Sequence, residues 1–173
     1  MTIVVEDGTK PSGANSYISE ANCKIYLDLR GLTEWGLEST ENKQASLIRA
    51  TDYLESNFKN RWQGFKTSSD QSLSFPRYDV YDEDGYYFSE TEIPQELIDA
   101  QCLLANKAIL DGELVLLTQD VTQDNLINSK KRKVSDIETE TVYFESLSGT
   151  YYKNVISLLR PLFKPQQSEL IRG

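Results

Sequence analysis

Apolar residues recur at three- and four-residue steps in a few blocks, and two long stretches between them, residues 61–93 and 113–149, carry no helical period. Connections between elements usually run to about 4–6 residues, so the chain must place a small helical core beside two long non-helical segments. The clearest block starts at Ser39 or Thr40, where Ala45, Leu47, Ile48, Thr51, Leu54 and Phe58 predict a helix to about Asn57. Pro94 reads as a first-turn proline of a second helix through Leu97, Ile98, Cys102, Leu104, Ala105, Ala108 and Ile109, ended by Asp111-Gly112. A last helix is predicted from about Thr150 to Leu159, with Tyr152, Val155, Ile156 and Leu159 on one stripe and Pro161 limiting it. Near the N-terminus, Ile3 to Glu6 reads as a strand entering an Asp7-Gly8 turn. Ser19 can cap a short helix that Gly31 stops, and Trp35 anchors the connection that follows.

In the first long segment, Leu73 to Tyr78 and Tyr86 to Phe88 flank Asp82-Glu83-Asp84-Gly85, the pattern of a hairpin with an Asp-Gly turn. In the second, Asn128 to Val134 faces Ile137 to Phe144, where Thr139, Thr141 and Tyr143 alternate with Glu138, Glu140 and Val142. The expected fold is mainly α, a small helical bundle core with extended β-hairpin arms. It forms a single domain over residues 1–173, with core at about 19–58, 94–111 and 150–162 and arms at about 61–93 and 113–149.

With 39% hydrophobic residues in 173, the chain can build a core without cross-links. Its 18 Lys and Arg against 27 Asp and Glu leave a net charge of −9, whose overall field repels phosphate backbones. Cys23 and Cys102 lie in helical apolar patterns and read as buried free thiols, since two thiols without histidine cannot complete a zinc site. No basic stretch leads into an apolar run at the N-terminus and no membrane-length apolar run exists, so a cytoplasmic protein is expected, with no membrane partner.

The sequence has no histidine, which excludes Ser-His and Cys-His nucleophile pairs, and no catalytic, cofactor or metal residue is expected. A calcium loop laid over the acidic turn puts Val80 at its first position and Thr91 at its twelfth, so both end ligands are wrong. No glycine spacing cradles phosphate. The sharpest charge feature is Lys130-Lys131-Arg132-Lys133. It reads as a solvated strand edge, as a docking strip for an acidic partner, or as a contact for DNA phosphates. Arg77 and Arg49 read equally as interface anchors or as internal ion pairs. Arg77, Lys130, Lys131, Arg132, Lys133 and Tyr143 are the candidate partner-binding residues.

Several stretches in order resemble a known family. They are Val5-Glu6-Asp7-Gly8 with Ala14-Asn15-Ser16-Tyr17; Trp35; Leu47-Ile48-Arg49-Ala50-Thr51-Asp52-Tyr53-Leu54; Leu73-Ser74-Phe75-Pro76-Arg77; Asp84-Gly85 ahead of Ile93-Pro94; and Leu158-Leu159-Arg160-Pro161-Leu162. The chain resembles tailed-phage head-tail connectors or adaptors, a family also described as a DnaT-like domain. The resemblance implies a non-enzymatic virion protein of the neck, made in the host cytoplasm. It also implies a homo-oligomeric, dodecameric ring between a portal protein and a tail or tail-completion protein, with DNA only passing through its channel. Residues 128–144 are then expected to pair with neighbouring subunits or the portal. The rival reading, from the same label, is a replication accessory protein that contacts single-stranded DNA through aromatics and the basic run. A small carboxylate enzyme is a second rival, disfavoured by the missing histidine, metal and nucleotide motifs.

Overall fold

The structure is a computed structural model that describes residues 2–110, 113–114, 127–130, 141–143 and 152–164. Its described elements are mostly helical: α1 (Glu20–Asp28), α2 (Glu34–Leu37), α3 (Thr40–Phe58), α4 (Gln95–Lys107) and α5 (Lys153–Leu159), the last running on into a 3-10 turn, Arg160–Leu162. Three two-stranded antiparallel pairs accompany them, β1 (Phe65–Lys66) with β2 (Arg77–Tyr78), β3 (Ile109–Leu110) with β4 (Glu113–Leu114), and β5 (Ile127–Lys130) with β6 (Thr141–Tyr143).

Local chemistry sets the helix ends. The Ser19 and Ser39 hydroxyls accept from the Asn22 and Asn42 N–H groups and so satisfy first-turn donors of α1 and α3. Gly31, at φ +73°, ends α1 by sending its own N–H to the Asp28 carbonyl while Leu32 N–H reaches back to Leu27. Trp35 is buried and donates to Ser46 Oγ at 2.9 Å, which fixes α2 against α3.

The core forms around the packing of α3 on α4, with α5 and α1 laid against α4. Leu47, Ala50, Leu54 and Phe58 of α3 and Leu97, Ala100, Leu104 and Ala105 of α4 are fully buried in one cluster with Cys23, Leu27, Leu159 and Leu162. Ile48, expected in that stripe, is only half-buried, and Ile25 of α1 is exposed. Gln101 lies in the middle of this apolar contact. Its Nε2 donates to Ser16 Oγ (2.7 Å), Thr51 Oγ1 (2.9 Å) and the Leu47 carbonyl (3.2 Å), and its Oε1 accepts from Tyr17 N–H (2.9 Å). One side chain therefore joins α3, α4 and the N-terminal loop. A Gln101→Leu substitution strands buried groups at roughly 1–3 kcal/mol each. It is expected to lower the urea-unfolding free energy by about 2–3 kcal/mol with an unchanged m-value.

Some expected boundaries differ. The N-terminal strand is reduced to one parallel bridge, Val5 with Ser16, whose closing bonds include Glu6 N–H to the Ser16 carbonyl. Helix α4 ends at Lys107, because Ile109 and Leu110 leave the helix to pair with Glu113 and Leu114. α5 begins at Lys153, after the expected start, and the chain passes through Pro161 in the 3-10 turn.

The largest difference concerns residues 61–93, expected as an extended arm. Trp62, Leu73, Phe75 and Val80 are buried in the same cluster as the helices, so this segment is a strap folded onto the core. Trp62 is its main anchor, with ring centroids 5.2 Å from Phe75, 5.2 Å from Phe163 and 5.9 Å from Phe58. The Asp-Gly turn is present, but Val80 and Tyr81 pair with Phe88 and Tyr87 across it, whereas Arg77-Tyr78 pairs with Phe65-Lys66. In the second long segment the expected antiparallel partners do meet, Ile127 opposite Tyr143 and Lys130 opposite Thr141; residues 131–140 between them lie outside the described residues.

Candidate functional site

Two surface clefts differ in chemistry. The larger, about 650 Å³, lies between the N-terminal segment, α1 and the start of α4, and carries the carboxylates of Glu6, Asp7 and Glu92 with no Lys or Arg in its lining. Glu6 there is a loop clamp, its Oε1 accepting from Gly8 and Lys10 N–H at 3.0 and 2.9 Å. A wall of that charge rejects phosphates and other anions. The second cleft, about 560 Å³, lies where the strap meets the end of α5, and Arg61, Arg160 and Lys164 line it with Tyr81, Asp82 and Glu83. The Arg61 guanidinium stacks 4.2 Å above the Phe163 ring, and Lys164 Nζ donates to the Asn60 carbonyl at 3.2 Å. Stacking leaves the Arg61 charge exposed and orders it.

The strap carries two exposed aromatic pairs, one of which reaches this cleft through Tyr81. Phe65 and Tyr78 face each other across β1–β2 with centroids 5.5 Å apart and rings 33° from parallel. Tyr81 and Tyr87 meet across the next bridge at 5.6 Å and 65°. Phe65 is 60% exposed, and Tyr86, next to Tyr87 in sequence, 73%. Tyr78 and Tyr81 are separated only by Asp79 and the buried Val80, so the pairs follow one another along one segment.

Half-buried polar side chains hold this strip in place through backbone carbonyls. Gln63 Nε2 donates to the carbonyls of Tyr81 (3.0 Å) and Pro161 (2.6 Å), tying the strap to the end of α5. Arg77 donates to the carbonyls of Gln63 (2.6 Å), Gly64 (2.6 Å) and Ser74 (3.3 Å). Gly64 sits at φ +57°, where an added Cβ would fall 2.0 Å from the Tyr78 carbonyl oxygen, so only glycine lets these backbones approach. Beneath, Glu55 accepts from the Tyr17 hydroxyl and from Ser74 Oγ (2.6 Å), while the Tyr17 oxygen accepts from the N–H groups of Ser74 (3.1 Å) and Phe75 (3.3 Å). Burial, helped by the Glu55 charge, pushes the Tyr17 hydroxyl well above its ordinary pKa, so it keeps its proton and this donation.

The residues singled out from sequence divide accordingly. Arg77 is half-buried and clamps the strap through three backbone carbonyls. Lys130 lies at the end of β5 and Tyr143 in β6, while Lys131, Arg132 and Lys133 lie outside the described residues. Phe65, Tyr78, Tyr81 and Tyr87 were not singled out. Their signal was the aromatic density around the Asp-Gly turn, read there only as hairpin sequence. Among the described residues no group of acidic or thiol side chains is arranged to hold a metal, and no helix is long and apolar enough to cross a membrane.

Compared with known protein families, the whole chain, residues 1–173, matches the family described as "Putative DnaT-like ssDNA binding protein". The chain belongs to that family. Neither the curated proteins nor the solved structures gave a significant match. This assignment corrects the reading of the resemblance as a head-tail connector, and with it the portal and tail partners, the dodecameric ring and DNA that merely traverses a channel. The motifs behind that reading mark the fold: Glu6, Ser16, Tyr17, Trp35, Thr51, Ser74 and Phe75 are all buried.

The argument from net charge against nucleic acid is corrected as well. A charge of −9 sums the whole surface, whereas a bound strand responds to charges within a Debye length, roughly 8–10 Å at physiological salt. Arg61, Arg160 and Lys164 share one cleft with Asp82 and Glu83, a local excess of one positive charge, while Glu6, Asp7 and Glu92 line the other without a cation.

Proposed function

We propose that the protein binds single-stranded DNA, without catalysis, across the strap formed by residues 61–88 and the end of α5. The observation that carries this reading is the two exposed aromatic couples of the strap, Phe65–Tyr78 and Tyr81–Tyr87, the second of which lines, through Tyr81, the cleft holding Arg61, Arg160 and Lys164. Unpaired bases stack on exposed rings at about 1–3 kcal/mol per base, without regard to sequence, and the cations take the phosphates between them. A duplex hides its base faces and gains none of the stacking. The membership of the whole chain in a single-stranded-DNA-binding family supports the same ligand. The cationic run Lys130–Lys133 supplies additional phosphate contacts in this reading.

Fluorescence anisotropy of a labelled oligothymidylate, titrated at several salt concentrations, tests the proposal. Each phosphate neutralised by a single-strand contact contributes about −0.7 to the slope of log K against log salt. Two to three phosphate contacts from the cleft cations predict a slope of about −1.4 to −2 from this site, and binding at least about tenfold tighter than to a duplex of equal length. Replacing the four residues of the run by glutamine is expected to flatten the slope further without removing binding. Equal affinity for duplex, or no binding at low salt, would contradict the proposal.

A further inference from the structure

The turn that joins the Tyr81–Tyr87 pair places two carboxylates, Asp82 and Glu83, in the lining of the cationic cleft. The turn is held in shape. Asp82 Oδ1 accepts from the N–H groups of Asp84 (3.0 Å) and Tyr86 (2.7 Å), and Asp82 N–H donates to the Tyr86 carbonyl (2.9 Å). Asp82 is thereby occupied in forming the turn. Glu83 is not used that way: it reaches across the cleft, where its Oε1 lies 3.6 Å from Arg160 Nε. Both side chains are largely exposed, so the pair adds little to stability, yet it covers one of the three cations the site offers to a strand.

We infer that Glu83 is an intramolecular stand-in for phosphate, which occupies Arg160 in the free protein and must be displaced when single-stranded DNA binds. The inference rests on the single-strand reading of this site. It has a thermodynamic signature distinct from plain charge repulsion. Freeing Arg160 from Glu83 costs the attraction of an exposed ion pair, which salt screens, so the Arg160–phosphate contact shows less than its full salt dependence while Glu83 is present. The same turn carries Tyr81 and Tyr87 at its base, so displacing Glu83 and covering these rings are parts of one event.

The test compares the full-length chain with Glu83→Gln, Arg160→Gln, their double variant, and Glu34→Gln as a control for lost charge on α2. Glu83→Gln is expected to tighten oligothymidylate binding by about two- to fivefold at low salt, the range of an exposed ion pair. It should also steepen the salt slope, by at most about 0.7. In the Arg160→Gln background the same substitution should change neither quantity. An equal gain from Glu34→Gln, or a gain from Glu83→Gln that persists without Arg160, would overturn the inference while leaving single-strand binding intact. Failure of both the wild-type chain and Glu83→Gln to bind would remove the single-strand reading itself.

Discussion

Replacing Tyr78 and Tyr81 together by alanine is expected to weaken binding of single-stranded DNA by about a hundredfold, with far-UV circular dichroism unchanged. The magnitude follows from losing one ring of each pair, at about 1–3 kcal/mol of stacking per base. The fold should tolerate the change because both rings face solvent, each near 44% exposed, and their backbone partners are set by Gln63 and Gly64. Each single variant should lose about tenfold, and phenylalanine at either position should restore most of the loss, since stacking needs the ring and not the hydroxyl. A tyrosine-to-alanine loss that shrinks steeply with salt would instead point to disturbed phosphate contacts.

Trp62→Ala carries the second large effect, on stability. Trp62 is 1% exposed and its ring meets Phe58, Phe75 and Phe163, three residues from α3, the strap and the segment after α5. Truncating a buried tryptophan costs about 3–5 kcal/mol, through lost transfer energy and the cavity left behind. Against a total stability of roughly 5–15 kcal/mol, chemical denaturation should show a midpoint shifted far toward lower denaturant. The same ring backs both faces of the site, because Gln63 follows it in sequence and Phe163 supports the Arg61 guanidinium. Weakened DNA binding is therefore expected even where most molecules remain folded. Full DNA affinity in this variant would separate the site from its anchor and contradict the packing account.

The helices were legible because their signals are local. Ser19, Ser39 and Gly31 do at the helix ends what their side chains and backbone freedom predict, and Leu47, Leu54 and Phe58 fall on the buried face of α3. The strap was misread because its anchors are aromatic side chains meeting partners far away in sequence, as Trp62 meets Phe163. Such an arrangement has no period, and long aperiodic sequence reads as an arm. Arg77 stands out in the sequence as a cation beside a proline, but the partners of its guanidinium are backbone carbonyls, which a sequence pattern cannot display. Helix α4 stops earlier than its apolar spacing suggests because Ile109 serves a strand pair as well as it would serve a helix. The site residues were hidden by a mean: the net charge is acidic, yet the cations that matter share one cleft and the carboxylates dominate another.

The central claim, that a single strand lies on the aromatic strip of the strap, is tested most directly by ultraviolet cross-linking of a bound oligothymidylate followed by mass spectrometry of the peptides. The account predicts adducts within residues 61–88, at Phe65, Tyr78, Tyr81 or Tyr87, lost on competition with unlabelled strand. Adducts confined to the peptides of α1 and the start of α4, or to residues 127–143 alone, would contradict it.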